Sequence, residues 1–216
     1  MILVGIHGKA GSGKDTIGNI LAGQFDFAIR SFAEPIKRTL AAFLDVPVSK
    51  MDDREWREKP LDDLYYGKTP RELMQTFGTE WGRNHIGQDI WIRLCLDDPY
   101  PHESNGRDVA RVAITDVRFP NEAAAIRARG GHIIHIYREK TDASTTFIQH
   151  TSEQGLPCAA DDFSILNNGT IFQLERAVAQ LVSWILKCQQ VAMTQKEEAV
   201  DEALQSNATR TSLSRH

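Results

Sequence analysis

The sequence predicts an α/β domain whose parallel sheet is covered by helices on both faces. Three observations carry that prediction. Short β-branched apolar runs of strand length alternate with segments of helical period. The first such run leads through a glycine-rich loop into a helix, the opening unit of folds of this class. The chain has 216 residues, 41% of them hydrophobic, which suits one sizeable domain, or one domain and a tail, with a real core.

Taken in order, residues 2–7 read as a buried strand, followed by Gly8, Gly11 and Gly13, with Ile17, Ile20 and Leu21 then recurring at helical spacing. Residues 27–32 read as a second strand. Pro35 falls in the first turn of the next helix, where its missing N–H costs nothing, and that helix runs over 36–44. Residues 50–68 mix Asp52, Asp53, Glu55, Glu58, Asp62 and Asp63 with Lys50, Arg54, Arg57 and Lys59, and read as a solvated excursion with some helix. Thr69-Pro70-Arg71-Glu72 is a helix start, with Thr69 as N-cap, Pro70 at the first helical position and Glu72 closing a capping box. A helix is expected over 89–97 and a turn-rich loop over 99–108.

Residues 109–115 read as a central strand ending at Asp116. The helix expected over 120–129 turns Ala123, Ala124 and Ile126 inward and stops at Gly130-Gly131. Strands are expected over 133–137 and 163–166, with the segment 138–162 between them reading as a lid or active-site loop. The last helix starts near Thr170 and carries Ile171, Leu174, Val178, Leu181 and Ile185 on one face. From Gln189 the apolar pattern thins into a polar, frayed tail. The expected organisation is therefore a domain over 1–188, with an excursion at about 45–108 and a lid loop at about 138–162, and a tail over 189–216.

The net charge is 25 − 29 = −4, which argues against a protein that coats nucleic acid, so an anionic partner must be held by a few placed cations. Cys95, Cys158 and Cys188 are too few and too scattered for a disulfide framework, and no CxxC occurs, so a cytoplasmic compartment is expected. The first residues lack a basic leader and nothing reaches membrane-spanning length, so no membrane partner is expected. The oligomeric state stays open, a homodimer included.

Gly8-Lys9-Ala10-Gly11-Ser12-Gly13-Lys14 fits G-x-x-x-x-G-K, a phosphate-binding loop. Glycines are needed because successive backbone N–H groups must turn inward around a phosphate without side-chain clash. The following helix adds its positive dipole end, and Lys14 can reach the outer phosphates. Asp15 stands where the pattern usually has Ser or Thr, and Thr16 follows it. A carboxylate suits Mg²⁺, touching it directly or through a water, and the two alternatives stay open.

Four blocks in one order add a resemblance. Gly11-Ser12-Gly13-Lys14-Asp15-Thr16, Phe32-Ala33-Glu34-Pro35-Ile36-Lys37, Thr69-Pro70-Arg71-Glu72-Leu73-Met74-Gln75 with Gly78-Thr79-Glu80, and Thr115-Asp116-Val117-Arg118-Phe119-Pro120-Asn121-Glu122 resemble the bacteriophage deoxynucleoside monophosphate kinases, a branch of the P-loop nucleoside monophosphate kinases. The match extends from Met1 to about Lys187. It implies a three-layer P-loop NTPase fold and transfer of the γ-phosphoryl of ATP, with Mg²⁺, to a dNMP. Lys14, Arg118 and Asp15 are then the catalytic candidates. Gly11, Ser12, Gly13, Lys14, Asp15, Thr16 and Arg138 are candidates for ATP, with Asp15 and Asp116 for the metal. Lys37, Arg71, Arg83, Asp116 and Glu153 are candidates for the acceptor nucleotide. Residues 167–170 are a turn and cap that the resemblance sets near the adenine.

Each candidate has a plainer alternative. Lys37 and Arg71 read equally as solvated surface cations, Asp116 as a turn-forming aspartate, and Arg118 as a salt-bridge partner of Glu122. His132 and His135 face opposite sides of a strand and form no metal pair. Two rival functions remain at this level: another small-molecule P-loop kinase, similar to dephospho-coenzyme A kinase, and a nucleotide-dependent switch without transfer. The Arg71 and Arg118 blocks favour a nucleotide acceptor. The absence of an Asn-Lys-x-Asp motif and the Val117 after Asp116 disfavour the switch.

Overall fold

The computed structural model of the chain describes residues 1–97, 110–139 and 156–213. It divides into two compact units, Met1–Asn168 and Gly169–His216. In the first unit five strands form one sheet: β1 (Ile2–His7), β2 (Ala28–Arg30), β3 (Arg111–Ile114), β4 (His132–Tyr137) and β5 (Phe163–Leu166). Their order is β2-β3-β1-β4-β5, and every pair is parallel. β1 is nearly continuous apolar sequence and almost wholly buried, as a central parallel strand covered on both faces must be.

The chain leaves β1 for β2 in one direction and leaves β3 for β4 in the other, crossing β1 on the way. Connections therefore diverge between the carboxyl ends of β1 and β3, the crevice in which open α/β sheets bind their ligands. Gly5 lies opposite Ile114, so the two strands end side by side and their following loops emerge together.

Helices flank the sheet. α1 (Lys14–Phe25) buries Ile17, Ile20 and Leu21, and α2 (Glu34–Phe43) buries Ile36, Leu40 and Ala41 at helical spacing. Leu3, Val112 and Ile114 of the sheet share one core with Ile36, Leu40, Trp91, Ala123 and Ile126. In the helix Pro120–Ala128 the inward residues are Glu122, Ala123 and Ile126, whereas Ala124, expected inside, is exposed. A carboxylate takes the inward position because it has backbone donors to meet there.

The charged excursion is more than a solvated face. Met51 in the 3₁₀ turn Val48–Asp52 is fully buried. Asp53 caps the short helix α3 (Arg54–Arg57) by accepting from Trp56 N–H at 3.0 Å. The helix α4 (Pro70–Gln75) has the expected capping box: Thr69 Oγ1 accepts from Glu72 N–H at 3.1 Å, and Glu72 accepts from Thr69 N–H at 2.8 Å.

The chain then widens into a π-helical stretch, Thr76–Ile86, which no local sequence signal announces. It packs against α5 (Ile90–Leu96), whose Trp91 donates its indole N–H to the Gly78 carbonyl at 2.7 Å. A Cβ on Gly82 would lie 2.2 Å from Trp91 Cζ2, so only glycine lets the ring close on this backbone.

In the second unit one helix runs over Ile171–Leu213 and buries Leu174, Val178, Leu181 and Ile185 as the spacing predicts, with Val182 added, whereas Ile171, expected on that face, is exposed in the first turn. It continues through the residues expected to fray. No Gly or Pro interrupts it, and its later residues are rich in Ala, Gln, Glu and Lys, so propensity carries the helix on after the apolar face has thinned. Among the described residues no helix is long and apolar enough to cross a membrane. Gly82→Ala should destabilise the chain by about 2 kcal/mol through overpacking on Trp91, read as a lowered Tm in thermal denaturation.

Candidate active site

The loop after β1 has the form its glycines dictate. Gly11 and Gly13 have φ of 79° and 109°, in the left-handed region that favours glycine. Lys14 Nζ arches back and donates to the carbonyls of Gly8 at 2.6 Å and Lys9 at 2.8 Å. Asn167, just past β5, donates its amide to the Ser12 carbonyl at 2.8 Å and so fastens the loop from the far side. Gly13 offers α1 no side-chain cap, which leaves first-turn N–H groups for an anion. Asp15 is exposed in that first turn, with Thr16 half-buried beside it.

Asp116 follows β3 and does a different task from the one expected. Its Oδ1 accepts from Phe32 N–H at 2.8 Å, and its Oδ2 accepts from the Ser31 hydroxyl at 2.7 Å and from Ala33 N–H at 2.9 Å. Three protein donors occupy the carboxylate, so it ties the end of β3 to the turn that launches α2. The turn-holding alternative is thus realised for Asp116: protein donors take three of its roughly four acceptor sites, which leaves one for the metal or substrate role expected of it.

Arg118 is exposed at the mouth of the sheet, and its backbone rather than its guanidinium meets Glu122. Glu122 Oε2 accepts from the N–H groups of Arg118 at 2.8 Å and Phe119 at 3.0 Å. The guanidinium that faces Glu122 belongs to Arg83, with Nη1 3.4 Å from Oε1. Arg83 also donates to Asn121 Oδ1 at 2.7 Å and stacks over the Phe119 ring at 3.8 Å. At 6% exposure Arg83 is not offered to a substrate phosphate as expected: it braces the Arg118 loop from below. Burial pushes the Glu122 carboxyl up to about 7, against the opposing pull of the two backbone donors and Arg83, with nearby Asp116 adding to the rise.

On the other side of the crevice, Lys37 Nζ lies 2.7 Å from Asp52, and Arg71 donates through Nε to Glu58 at 2.6 Å. Arg57, not singled out by the sequence, comes close enough to Arg71 and Arg118 for their charge to lower its pKa, with burial the larger cause. His7, at the end of β1, has Nδ1 2.8 Å from the Val117 carbonyl and accepts at Nε2 from Leu156 N–H at 3.2 Å, which fits the neutral ring with its proton on Nδ1. Burial lowers its pKa first, the Val117 bond opposes that, and His135, Lys14 and Arg118 lower it further.

Arg138 is exposed directly after β4. Glu153 lies outside the described residues. Asn168 accepts from Glu139 N–H at 3.1 Å, so Asn167 and Asn168 both brace loops. Among the described residues, His135, Cys158 and Asp162 bring ligand atoms within 4.8 Å of one another. Arg127 already grips both oxygens of Asp162 at 3.0 and 2.6 Å, and His135 Nε2 sits 2.9 Å away, so this carboxylate is held by its own chain, while His135 Nδ1 is buried without a hydrogen-bond partner. His132 on the same strand has its ring 5.7 Å from that of Phe163 and feels the charges of Asp161 and Asp162.

A glycine loop closed by a lysine, set at the switch point of a five-stranded parallel sheet, places the chain among the P-loop nucleotide-binding proteins. A family profile described as deoxynucleotide monophosphate kinase matches residues 68–178. An Acanthamoeba polyphaga mimivirus protein with a provisional name of that kind is 32% identical over 202 residues, 86% of this chain and 96% of its own length. The deoxynucleoside-5′-monophosphate kinase of Escherichia phage T5 is 24% identical over 77% of this chain and 89% of that protein. The deoxynucleotide monophosphate kinase of Enterobacteria phage T4 is 32% identical over 48% and 41% respectively. The chain belongs to the deoxynucleotide monophosphate kinase family.

Glu122 gives this site a pH signature. Its folded pKa is raised above its ordinary value of 4.5, so its contribution to stability is full below that value and is lost as pH rises through about 7. Glu122→Gln stays neutral throughout. Its stability relative to the parent chain should climb by about 1–3 kcal/mol between about pH 5 and about pH 8, read as a widening Tm difference. A flat difference would mean that the carboxyl does not titrate in that window.

Proposed function

We propose that the chain transfers the γ-phosphoryl of ATP to a deoxynucleoside 5′-monophosphate, giving ADP and the diphosphate. The observation that supports this best is the position of Arg118. It acts electrostatically on His7, as Lys14 does, and on Arg57, as Arg71 does. The adjoining Val117 bonds Ile6 and His7 at the start of the glycine loop, so the Arg118 cation adjoins that loop while sharing a field with Arg57 of the excursion, as a group that meets a crossing phosphoryl would.

In this reading the ATP phosphates lie on residues 8–16, with backbone N–H groups of the loop and of the first turn of α1 as donors. Arg138 is a further candidate for those phosphates. The acceptor phosphate lies toward Lys37 and Arg71. Its attacking oxygen is ionised at neutral pH, so the step needs alignment and charge neutralisation more than a general base. Lys14 and Arg118 supply that neutralisation as charge spreads over the transferring group. The hard oxygens of Asp15 and Thr16 at the end of the loop fit Mg²⁺, whereas Asp116 keeps only one of its roughly four acceptor sites. When bound with ATP, the ion supplies charge neutralisation across the β- and γ-phosphates. Arg83, Glu122 and Asp116 hold the loops in place.

A coupled ADP-release assay across deoxy- and ribonucleoside monophosphates tests the proposal. Turnover with at least one of dGMP, dTMP and dCMP is the expected result. Failure with all three while another acceptor turns over would replace it. Arg118→Ala should lower kcat about a hundredfold or more while ATP affinity changes only a few-fold. Equal small losses in both would make this arginine structural.

A further inference from the structure

We propose that Arg57 binds the phosphate of the acceptor nucleotide, and that Glu58 and Asp52 stand in for that phosphate on Arg71 and Lys37 when no nucleotide is bound. The inference rests on the kinase reading above and extends it to residues that neither the motifs nor the relatives single out.

Arg57 closes α3 and is half-buried, and its Nε is shut off from water without a hydrogen-bond partner. A guanidinium carries five N–H donors and no acceptor, so a buried Nε without a partner is a donor with unmet demand. A merely structural arginine is expected to have spent that donor on a carbonyl or carboxylate of its own chain, as Arg127 has done with Asp162. The carboxylates nearest in effect to Arg57 are Asp52 and Glu58, and both are committed elsewhere: Asp52 to Lys37 at 2.7 Å and Glu58 to Arg71 at 2.6 Å.

The charges identify what is missing. Lys37, Arg57, Arg71 and Arg118 supply four positive charges, and Asp52 and Glu58 supply two negative ones, leaving 4 − 2 = 2 uncompensated. A phosphate monoester carries about −1.5 to −2 at neutral pH and offers three oxygens to N–H donors. It matches both the surplus charge and the unmet donor. Asp52 and Glu58 are half-exposed, so they can release their partners to a phosphate and turn toward water at little cost. Held by these two carboxylates, Lys37 and Arg71 are kept extended toward the crevice, and arriving phosphate exchanges one anion for another.

The test titrates the full chain with dTMP, dGMP and dCMP by calorimetry without ATP, alongside steady-state ADP release. Arg57→Gln should weaken dNMP binding and raise the dNMP KM about ten- to a hundredfold, the worth of a charge-assisted hydrogen bond, with the ATP KM within about twofold. Arg57→Lys, which keeps the charge and loses the fork, should fall between. Glu58→Gln, at an exposed position, should tighten dNMP binding several-fold by removing the stand-in anion, a direction that misfolding cannot imitate. Unchanged dNMP binding in Arg57→Gln, parallel losses for ATP and dNMP, or weaker binding in Glu58→Gln would each overturn the inference. So would a parent chain that binds no dNMP at millimolar concentration. A parent that binds dNMP but releases no ADP overturns the kinase reading instead, and leaves the role of Arg57 to be judged on the calorimetry.

Discussion

Everything at this site depends on the pairing of β1 with β3. The two strands run parallel with Gly5 opposite Ile114, and the seam continues past their ends, where Val117 N–H donates to the Ile6 carbonyl at 3.2 Å. That contact fixes the start of the glycine loop against the start of the Arg118 loop. The register is secured by side chains buried on both faces, Leu3, Val4 and Ile6 against Val112, Ala113 and Ile114, so a slip of one residue would turn the whole apolar set. A geometry needed for chemistry is thereby held by the most buried part of the fold.

Within that frame, the carboxylates and the cations divide the work. Asp116 and Glu122 turn toward the protein and accept backbone N–H groups, the first holding residues 31–33 and the second residues 118–119. Burying Glu122 costs solvation, and its raised pKa records that cost. In exchange the loop bearing Arg118 has a fixed backbone beneath an exposed side chain. Lys14 is also prearranged, its ammonium already drawn across the loop by two carbonyls. Positions set in advance lower the ordering that binding would otherwise require.

The parts of this design that are legible in sequence are those whose physics is local. Five strands, the glycine loop and the Thr69–Glu72 capping box each rest on residues within one or two turns of one another, and the structure has them all. Asp116 was visible as a strand-end aspartate, but its donors lie 83 to 85 residues earlier in the chain, so its commitment to them was not. Arg83 reads as an acceptor-site candidate and Glu122 as a partner of Arg118, because only the fold brings the two together across 39 residues. Arg57 was hidden among alternating charges, where composition alone suggests solvent. The helix past Gln189 shows the converse: apolar patterning faded there while intrinsic propensity did not.

The distribution of aromatic rings has an optical consequence. The four tryptophans stand at 56, 81, 91 and 184, so neither the glycine loop nor the β1–β3 seam contains one. Trp56 adjoins Arg57 and has Lys50 Nζ 5.7 Å from its ring centroid, while Trp81 lies stacked on Phe77 at 4.7 Å and 46% exposed. Together with Trp91, both indoles belong to the excursion between α2 and β3, and only Trp184 lies elsewhere, in the last helix, so three of the four indole fluorophores report from the part of the chain proposed to meet the acceptor. Replacing Trp184 alone would leave a chain labelled on one side of its proposed reaction.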